Sequence, residues 1–163
     1  MNRMRQRLHP VFWLCSRAEK RSLTRLQKKE GIEMKILLTE DDDKLRTELA
    51  LFFKMHGYDT GEITDYKNAV EEICRAGGDI LLLDLSLPDA DGKYICKELR
   101  KRLAIPIVII TSQNTEMNEL LCLNYGADDF IAKPFNPQIL LAHVEAVLKR
   151  SQGSLQETEE ISC

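Results

Sequence analysis

The chain has 163 residues, 30% of them charged and 44% hydrophobic, the composition of one soluble globular domain with short tails. Its longest wholly apolar run is far short of the about 20 residues that a bilayer-spanning helix needs, which excludes a helical membrane span. The formal charge of −3 conceals an asymmetry: residues 1–33 hold nine Lys/Arg against three Glu, and the remainder 14 basic against 23 acidic side chains.

Residues 1–33 do not form a secretory signal, because Val11-Phe12-Trp13-Leu14-Cys15 is too short for an apolar core and no small-residue cleavage site follows. This basic extension is expected to be translated leader sequence. Met34-Lys35-Ile36-Leu37 has the look of a natural start, and the codons of Glu30-Gly31 read GAR-GGN, a purine-rich ribosome-binding type of signal. The competing reading is a basic nucleic-acid arm.

From residue 34 onward, strand and helix patterns alternate. Strands are predicted at 35–39, 58–63, 80–84, 107–111 and 129–132, the second less apolar and suited to an edge. Helices are predicted at 43–56 (Leu45, Leu49, Phe52 and Phe53 inward, Asp43 as N-cap), 65–75, 93–103 (Ile95, Leu99 and Leu103 inward), 115–125 with Gly126 closing it, and 137–150 with Pro137 in the first turn. Residues 151–163 are polar, lack periodicity and read as linker or tail. Five strands alternating with five helices imply an α/β fold with a doubly wound parallel sheet, and the flavodoxin-like (βα)5 order 2-1-3-4-5 is the common solution.

The five cysteines (Cys15, Cys74, Cys96, Cys122, Cys163) are scattered, with no Cys-x-x-Cys pair and no His at ligand spacing, so a zinc site is not expected. Cys74, Cys96 and Cys122 fall in helical patterns and read as buried or half-buried free thiols, in keeping with a reducing cytoplasm.

In an open parallel sheet, ligands sit at the carboxyl ends of the strands. Four ends here carry reactive groups: Glu40-Asp41 after the first strand, Asp84 closing the third, Thr111 closing the fourth and Lys133 just after the fifth. Three clustered carboxylates repel, and at least one takes up a proton unless a cation is present. A hard divalent ion relieves the repulsion, and Mg²⁺ suits a site of few carboxylates shared with phosphate oxygens. Acids also gather at helix N-termini for the dipole, which accounts for Asp42 and Asp43 but not for Asp84. A carboxylate such as Asp84 can attack phosphorus to give an aspartyl phosphate, with Lys133 as a movable cation and Thr111 as a hydrogen-bond donor to the phosphoryl group. Taken alone, Thr111 is an ordinary strand residue and Lys133 an ordinary surface one.

The segments Ile36-Leu37-Leu38-Thr39-Glu40-Asp41-Asp42, Asp84-Leu85-Ser86-Leu87-Pro88-Asp89-Ala90-Asp91-Gly92, Pro106-Ile107-Val108-Ile109-Ile110-Thr111-Ser112 and Gly126-Ala127-Asp128-Asp129-Phe130-Ile131-Ala132-Lys133-Pro134-Phe135 resemble those of bacterial response-regulator receiver domains, over residues 34–150. The resemblance implies a phosphorelay module. In it Asp84 is the phosphoacceptor for a sensor histidine kinase, Mg²⁺ is held by Asp41, Asp84, the Ser86 backbone carbonyl and, through water, Glu40, and Thr111 and Lys133 bind the phosphoryl group. Thr111 and Phe130 form the switch. Such a module assists its own phosphorylation and dephosphorylation and is not an enzyme acting on a separate substrate.

The Gly-Ala-Asp-Asp-Phe run and the final helix are similar to the OmpR-type subfamily, whose members dimerise through the fourth helix, fifth strand and fifth helix and regulate transcription through a winged-helix domain. Two departures stand out. The chain ends at Cys163, where that domain is expected, which implies a truncated regulator or a stand-alone receiver and puts direct DNA binding in doubt. Ile139 and His143 stand where many relatives have Glu and Arg, so dimer contacts are expected to be weaker or more apolar, through Leu120, Leu121 and Ile139. The alternative functional reading is a phosphate-independent binding module. A phosphatase needs a second acid two residues after the nucleophile, and Ser86 is there instead.

Overall fold

Residues 34–112 and 124–153 are described by the computed structural model of the chain. The apolar runs Ile80-Leu81-Leu82-Leu83 and Ile107-Val108-Ile109-Ile110 are buried throughout, as strands covered on both faces must be. They form β3 (Ile80–Asp84) and β4 (Ile107–Thr111), flanked by β1 (Lys35–Thr39) with β2 (Asp59–Glu62) on one side and β5 (Asp129–Ala132) on the other. All pairs are parallel, in the order β2-β1-β3-β4-β5, as the sequence pattern predicts. β2 is the half-exposed edge strand.

Side chains alternate across the strands and divide the core into two layers. Leu37, Leu81, Leu83, Ile107 and Ile109 pack with α2 (Ala69–Ala76) and α3 (Gly92–Arg102) through Ile73, Ile95 and Leu99. Ile36, Leu38, Ile80, Leu82, Val108 and Ile110 pack with α1 (Asp43–Met55) and α4 (Pro137–Gly153) through Leu49, Phe53, Leu140 and Val144. Each such buried aliphatic side chain contributes about 1.5–3 kcal/mol. Cys96 is buried, its thiol donating to the Tyr125 carbonyl at 3.5 Å, and Cys74 is half-buried.

The structure moves several boundaries. Asp42, not Asp43, caps α1: its Oδ1 accepts from the N–H groups of Lys44 (3.0 Å) and Leu45 (3.1 Å). Asp42 holds extended backbone, which leaves Asp43 in the first helical turn, where it meets Arg46. The helix expected at 65–75 breaks in two, because the Asp65 carboxylate accepts from the Asn68 N–H (3.3 Å) and amide (2.8 Å) and closes a 3₁₀ turn, Tyr66–Asn68, before α2 begins. Ser86–Leu87 and Ala90–Asp91 pair as a short antiparallel ribbon around Asp89, whose φ is +58°. α4 runs on through residues 151–153, assigned above to the tail, with Ser151 Oγ donating to the Leu148 carbonyl at 2.8 Å. The leader expected at 1–33, the tail from 154, Leu120, Leu121, Cys122 and most of the helix predicted at 115–125 lie outside the described residues.

Candidate functional site

β1, β3, β4 and β5 are neighbours in register, so the groups at their carboxyl ends share one edge of the sheet. Glu40, Asp41 and Asp84 each offer a carboxylate oxygen within 4.8 Å of the others. Glu40 and Asp84 are each 1% exposed, whereas Asp41 is open to solvent. Lys133, one residue past β5, reaches between the buried pair: its Nζ lies 2.7 Å from Glu40 Oε2 and 2.7 Å from Asp84 Oδ2. The cation that relieves the repulsion is therefore supplied by the chain itself. Lys133 thus hydrogen-bonds Asp84 and forms an equally close ion pair with Glu40.

The electrostatics follow from burial. Burial pushes the Glu40 carboxyl above the ordinary glutamate value, although Lys133 and the Asp42 N–H (3.2 Å from Oε1) pull it back part of the way. Burial acts to lower the Lys133 ammonium, but its bonds to Asp84 and Glu40 outweigh that and hold it above the ordinary lysine value. Asp84 Oδ1 accepts the Ser86 N–H at 2.8 Å, which fixes the carboxylate against the turn that follows β3.

Thr111 is fully buried at the end of β4, and its carbonyl accepts the Lys133 N–H at 2.8 Å, tying the two strand ends together. Phe130 pairs in register with Ile109 and packs, half-buried, against the α2/α3 layer. Thr111 continues the alternation of Ile107 and Ile109 and belongs to the same face. Gly92 lets this region close: a Cβ there would stand 2.6 Å from the Asp84 carbonyl oxygen and 2.6 Å from Leu85 Cα.

Arg46 and Tyr66 also reach the site, and nothing in the hydrophobic periodicity singles them out. Arg46 Nη1 (2.8 Å) and Tyr66 Oη (2.9 Å) both donate to the Glu40 carbonyl. Arg46 further pairs with Asp43 (2.5 Å) and Glu62 (2.9 Å). The one signal in the sequence is a cation three residues after Asp43, at ion-pair spacing on a helix.

The donor set fits a small hard cation. Opposite ligands of octahedral Mg²⁺ stand about 4.2 Å apart, so carboxylate oxygens within 4.8 Å need only small shifts to share one ion.

Comparison with known proteins identifies the family. Residues 36–145 match the response regulator receiver domain family. The sensory transduction protein RegX3 of Mycobacterium tuberculosis is 38% identical over 115 residues, 71% of this chain and 51% of that protein. The transcriptional regulatory protein YxdJ of Bacillus subtilis is 33% identical over 119 residues, 73% of this chain and 52% of that protein. The chain thus spans about half the length of these curated relatives. Among solved structures, the BeF3-activated N-terminal receiver domain of Klebsiella pneumoniae RstA superposes with a TM-score of 0.67 at 38% identity, covering 70% of this chain and 97% of that one. The N-terminal domain of the nisin resistance regulator NsrR gives a TM-score of 0.66 at 37% identity, covering 72% and 99%. By sequence and by strand order, the chain belongs to the response regulator receiver domain family.

Proposed function

We propose that this chain receives a phosphoryl group on Asp84 from a sensor histidine kinase, in a module spanning residues 34–150. The observation that carries the reading is the convergence of buried Asp84 with Glu40, Asp41 and Lys133 at the carboxyl edge of the sheet. A carboxylate oxygen of Asp84 attacks phosphorus as the bond to the donor's leaving group breaks, giving a mixed anhydride and the free donor. Lys133 passes from the Asp84 carboxylate to a phosphoryl oxygen, so the positive charge follows the negative charge. Thr111 donates its hydroxyl to another phosphoryl oxygen. Glu40, Asp41, Asp84 and the Ser86 carbonyl are the residues that would hold Mg²⁺, which when bound offsets the charge repulsion between carboxylate and phosphate. Water later cleaves the anhydride, and the module acts as a switch, not as an enzyme on a separate substrate.

The readout proposed is the OmpR-type one, a change at the surface formed by the 115–125 helix, β5 and α4, driven by Thr111 and Phe130, which lie on one face of the sheet. At that surface Ile139 is 55% exposed, and His143 Nδ1 contacts Asp129 Oδ2 within the chain at 2.7 Å. Both observations support an apolar self-association surface in place of charged cross-dimer pairs. Its test is a rise in sedimentation coefficient on phosphorylation; a phosphorylated chain that stays monomeric counts against it. A regulatory role in transcription is carried over from the relatives. A cytoplasmic location belongs to the same proposal; among the described residues no helix is long and apolar enough to cross a membrane.

The decisive experiment is incubation with Mg²⁺ and acetyl phosphate, read by intact mass. One added phosphate that disappears in Asp84→Ala supports the reading. No added mass on a folded chain overturns it in favour of the phosphate-independent binding module.

A further inference from the structure

The peptide that joins Glu40 to Asp41 is held from outside the acidic cluster. Its carbonyl oxygen receives two donors, Arg46 Nη1 at 2.8 Å from α1 and Tyr66 Oη at 2.9 Å from the 3₁₀ turn, which are themselves 3.5 Å apart. The guanidinium is locked by two further contacts, Nη2 to Asp43 Oδ1 at 2.5 Å and Nε to Glu62 Oε2 at 2.9 Å, and the Arg46 side chain is 11% exposed. All three arms of the fork are therefore committed, each to a different segment: α1, the end of β2, and the loop after β1. A guanidinium fixed in this way acts as a template, because its donors leave in set directions.

We propose that Arg46 and Tyr66 are positioning residues that orient the Glu40–Asp41 peptide and thereby set the affinity of the acidic site for a divalent cation; the inference rests on the metal reading given above. One peptide plane fixes the directions in which two carboxylates leave the chain, Glu40 into the buried side and Asp41 toward solvent. Neither Arg46 nor Tyr66 touches the cation. They act through the carbonyl, as outer-shell partners of metal ligands do.

The sign of the effect separates positioning from charge. Arg46 is a cation near three carboxylates, so on charge alone its removal strengthens cation binding. On positioning, its removal weakens binding. The experiment is Mn²⁺ binding to the full chain, read by the loss of the free-ion paramagnetic resonance signal, with urea unfolding alongside as the control for folding. Arg46→Gln is expected to raise the Mn²⁺ dissociation constant by about 10-fold, the low end of what outer-shell changes produce. Arg46→Lys keeps the charge but loses the fork, and is expected to stay close to Arg46→Gln. Tyr66→Phe deletes one hydroxyl with no change of charge and leaves the Arg46 bond to the carbonyl, so it is expected to weaken binding by less than Arg46→Gln does. Unchanged or tighter binding in folded Arg46→Gln, full recovery in Arg46→Lys, or an unchanged Tyr66→Phe overturns the inference while the metal reading stands. A wild-type chain that binds no Mn²⁺ overturns both. Asp84→Ala, which removes a ligand and leaves the Arg46–Tyr66 support in place, reports on the metal reading separately.

Discussion

Lys133 is the side chain on which the buried acids depend, and replacing it with Met removes the charge while keeping most of the aliphatic stem. The side chains of Glu40 and Asp84 are 1% and 2% exposed, and that of Lys133 is 20% exposed. Breaking a buried ion pair by deleting one partner costs about 3–5 kcal/mol, because the other charge stays buried. Here two carboxylates lose one shared cation, which argues for the full effect. Lys133 is partly solvated and Glu40 takes up a proton readily, which argues for the low end. The expected loss for Lys133→Met is about 3 kcal/mol near neutral pH in EDTA, read from urea unfolding, and smaller as the pH falls, because burial makes the Glu40 carboxyl take up a proton before an ordinary glutamate does. Mg²⁺ is expected to diminish the loss, because carboxylates that have lost Lys133 bind the ion more tightly than those of the wild type; at saturating Mg²⁺ each tenfold gain in affinity returns about 1.4 kcal/mol. A loss below about 1 kcal/mol in EDTA, or a loss that Mg²⁺ does not diminish, refutes the reasoning.

Other consequences concern single groups. Burial raises the Glu40 carboxyl, so it favours the fold while protonated; that contribution is complete below the ordinary glutamate value and is lost as pH rises through the higher folded value. In EDTA, Glu40→Gln should therefore flatten the decline of the urea midpoint between acid and neutral pH, and an identical slope in both proteins contradicts the assignment. Gly92→Ala drives a Cβ to 2.6 Å from two backbone atoms around Asp84, which cannot turn aside as a side chain would; overpacking of this kind costs about 1–3 kcal/mol, and a Tm equal to that of wild type is inconsistent with the close approach. Asp42→Ala removes the acceptor for two N–H groups at the start of α1 and should cost about 1 kcal/mol, measured by the same unfolding curves; no loss would return the cap to Asp43.

Much of the fold was legible because its strands are buried on both faces. Ile80-Leu81-Leu82-Leu83 and Ile107-Val108-Ile109-Ile110 are uninterrupted apolar runs, and the polar residue that ends each run marks the carboxyl edge where the site lies. The acids and Lys133 were legible for the same reason: a charge directly after a buried strand has few other places to go. What escaped depends on local competition that periodicity does not record. The Asp65 carboxylate diverts a helix start into a 3₁₀ turn, and Asp42 outbids Asp43 for the cap by one residue of backbone geometry. The role of Arg46 escaped, apart from its helical spacing from Asp43, because its other partners, Glu62 and the Glu40 carbonyl, are brought to it by strand pairing rather than by sequence spacing. The pairing of Lys133 with both buried acids follows from the parallel order, yet its distances belong to the folded chain alone.

Alternation along the strands also constrains how an event at Asp84 reaches the surface. Asp84 follows Ile80 and Leu82 in alternation and so belongs to the side of the sheet covered by α1 and α4, whereas Thr111 and Phe130 belong to the side covered by α2 and α3. Within the sheet a strand backbone separates the two sides. At the carboxyl edge it does not, and a group attached to Asp84 there can bond Thr111 across the end of the sheet. On the proposed reading, the Thr111 hydroxyl is the bridge between the layers, and Phe130 responds because it shares the Thr111 face. Thr111→Val keeps the β-branched shape and deletes the hydroxyl. It is expected to accept phosphate on Asp84 while the phosphate-dependent change in amide exchange around β5 is lost. A change around Phe130 in phosphorylated Thr111→Val equal to that in wild type would mean that the signal passes along the Asp84 side, through Lys133 and α4, and not through Thr111.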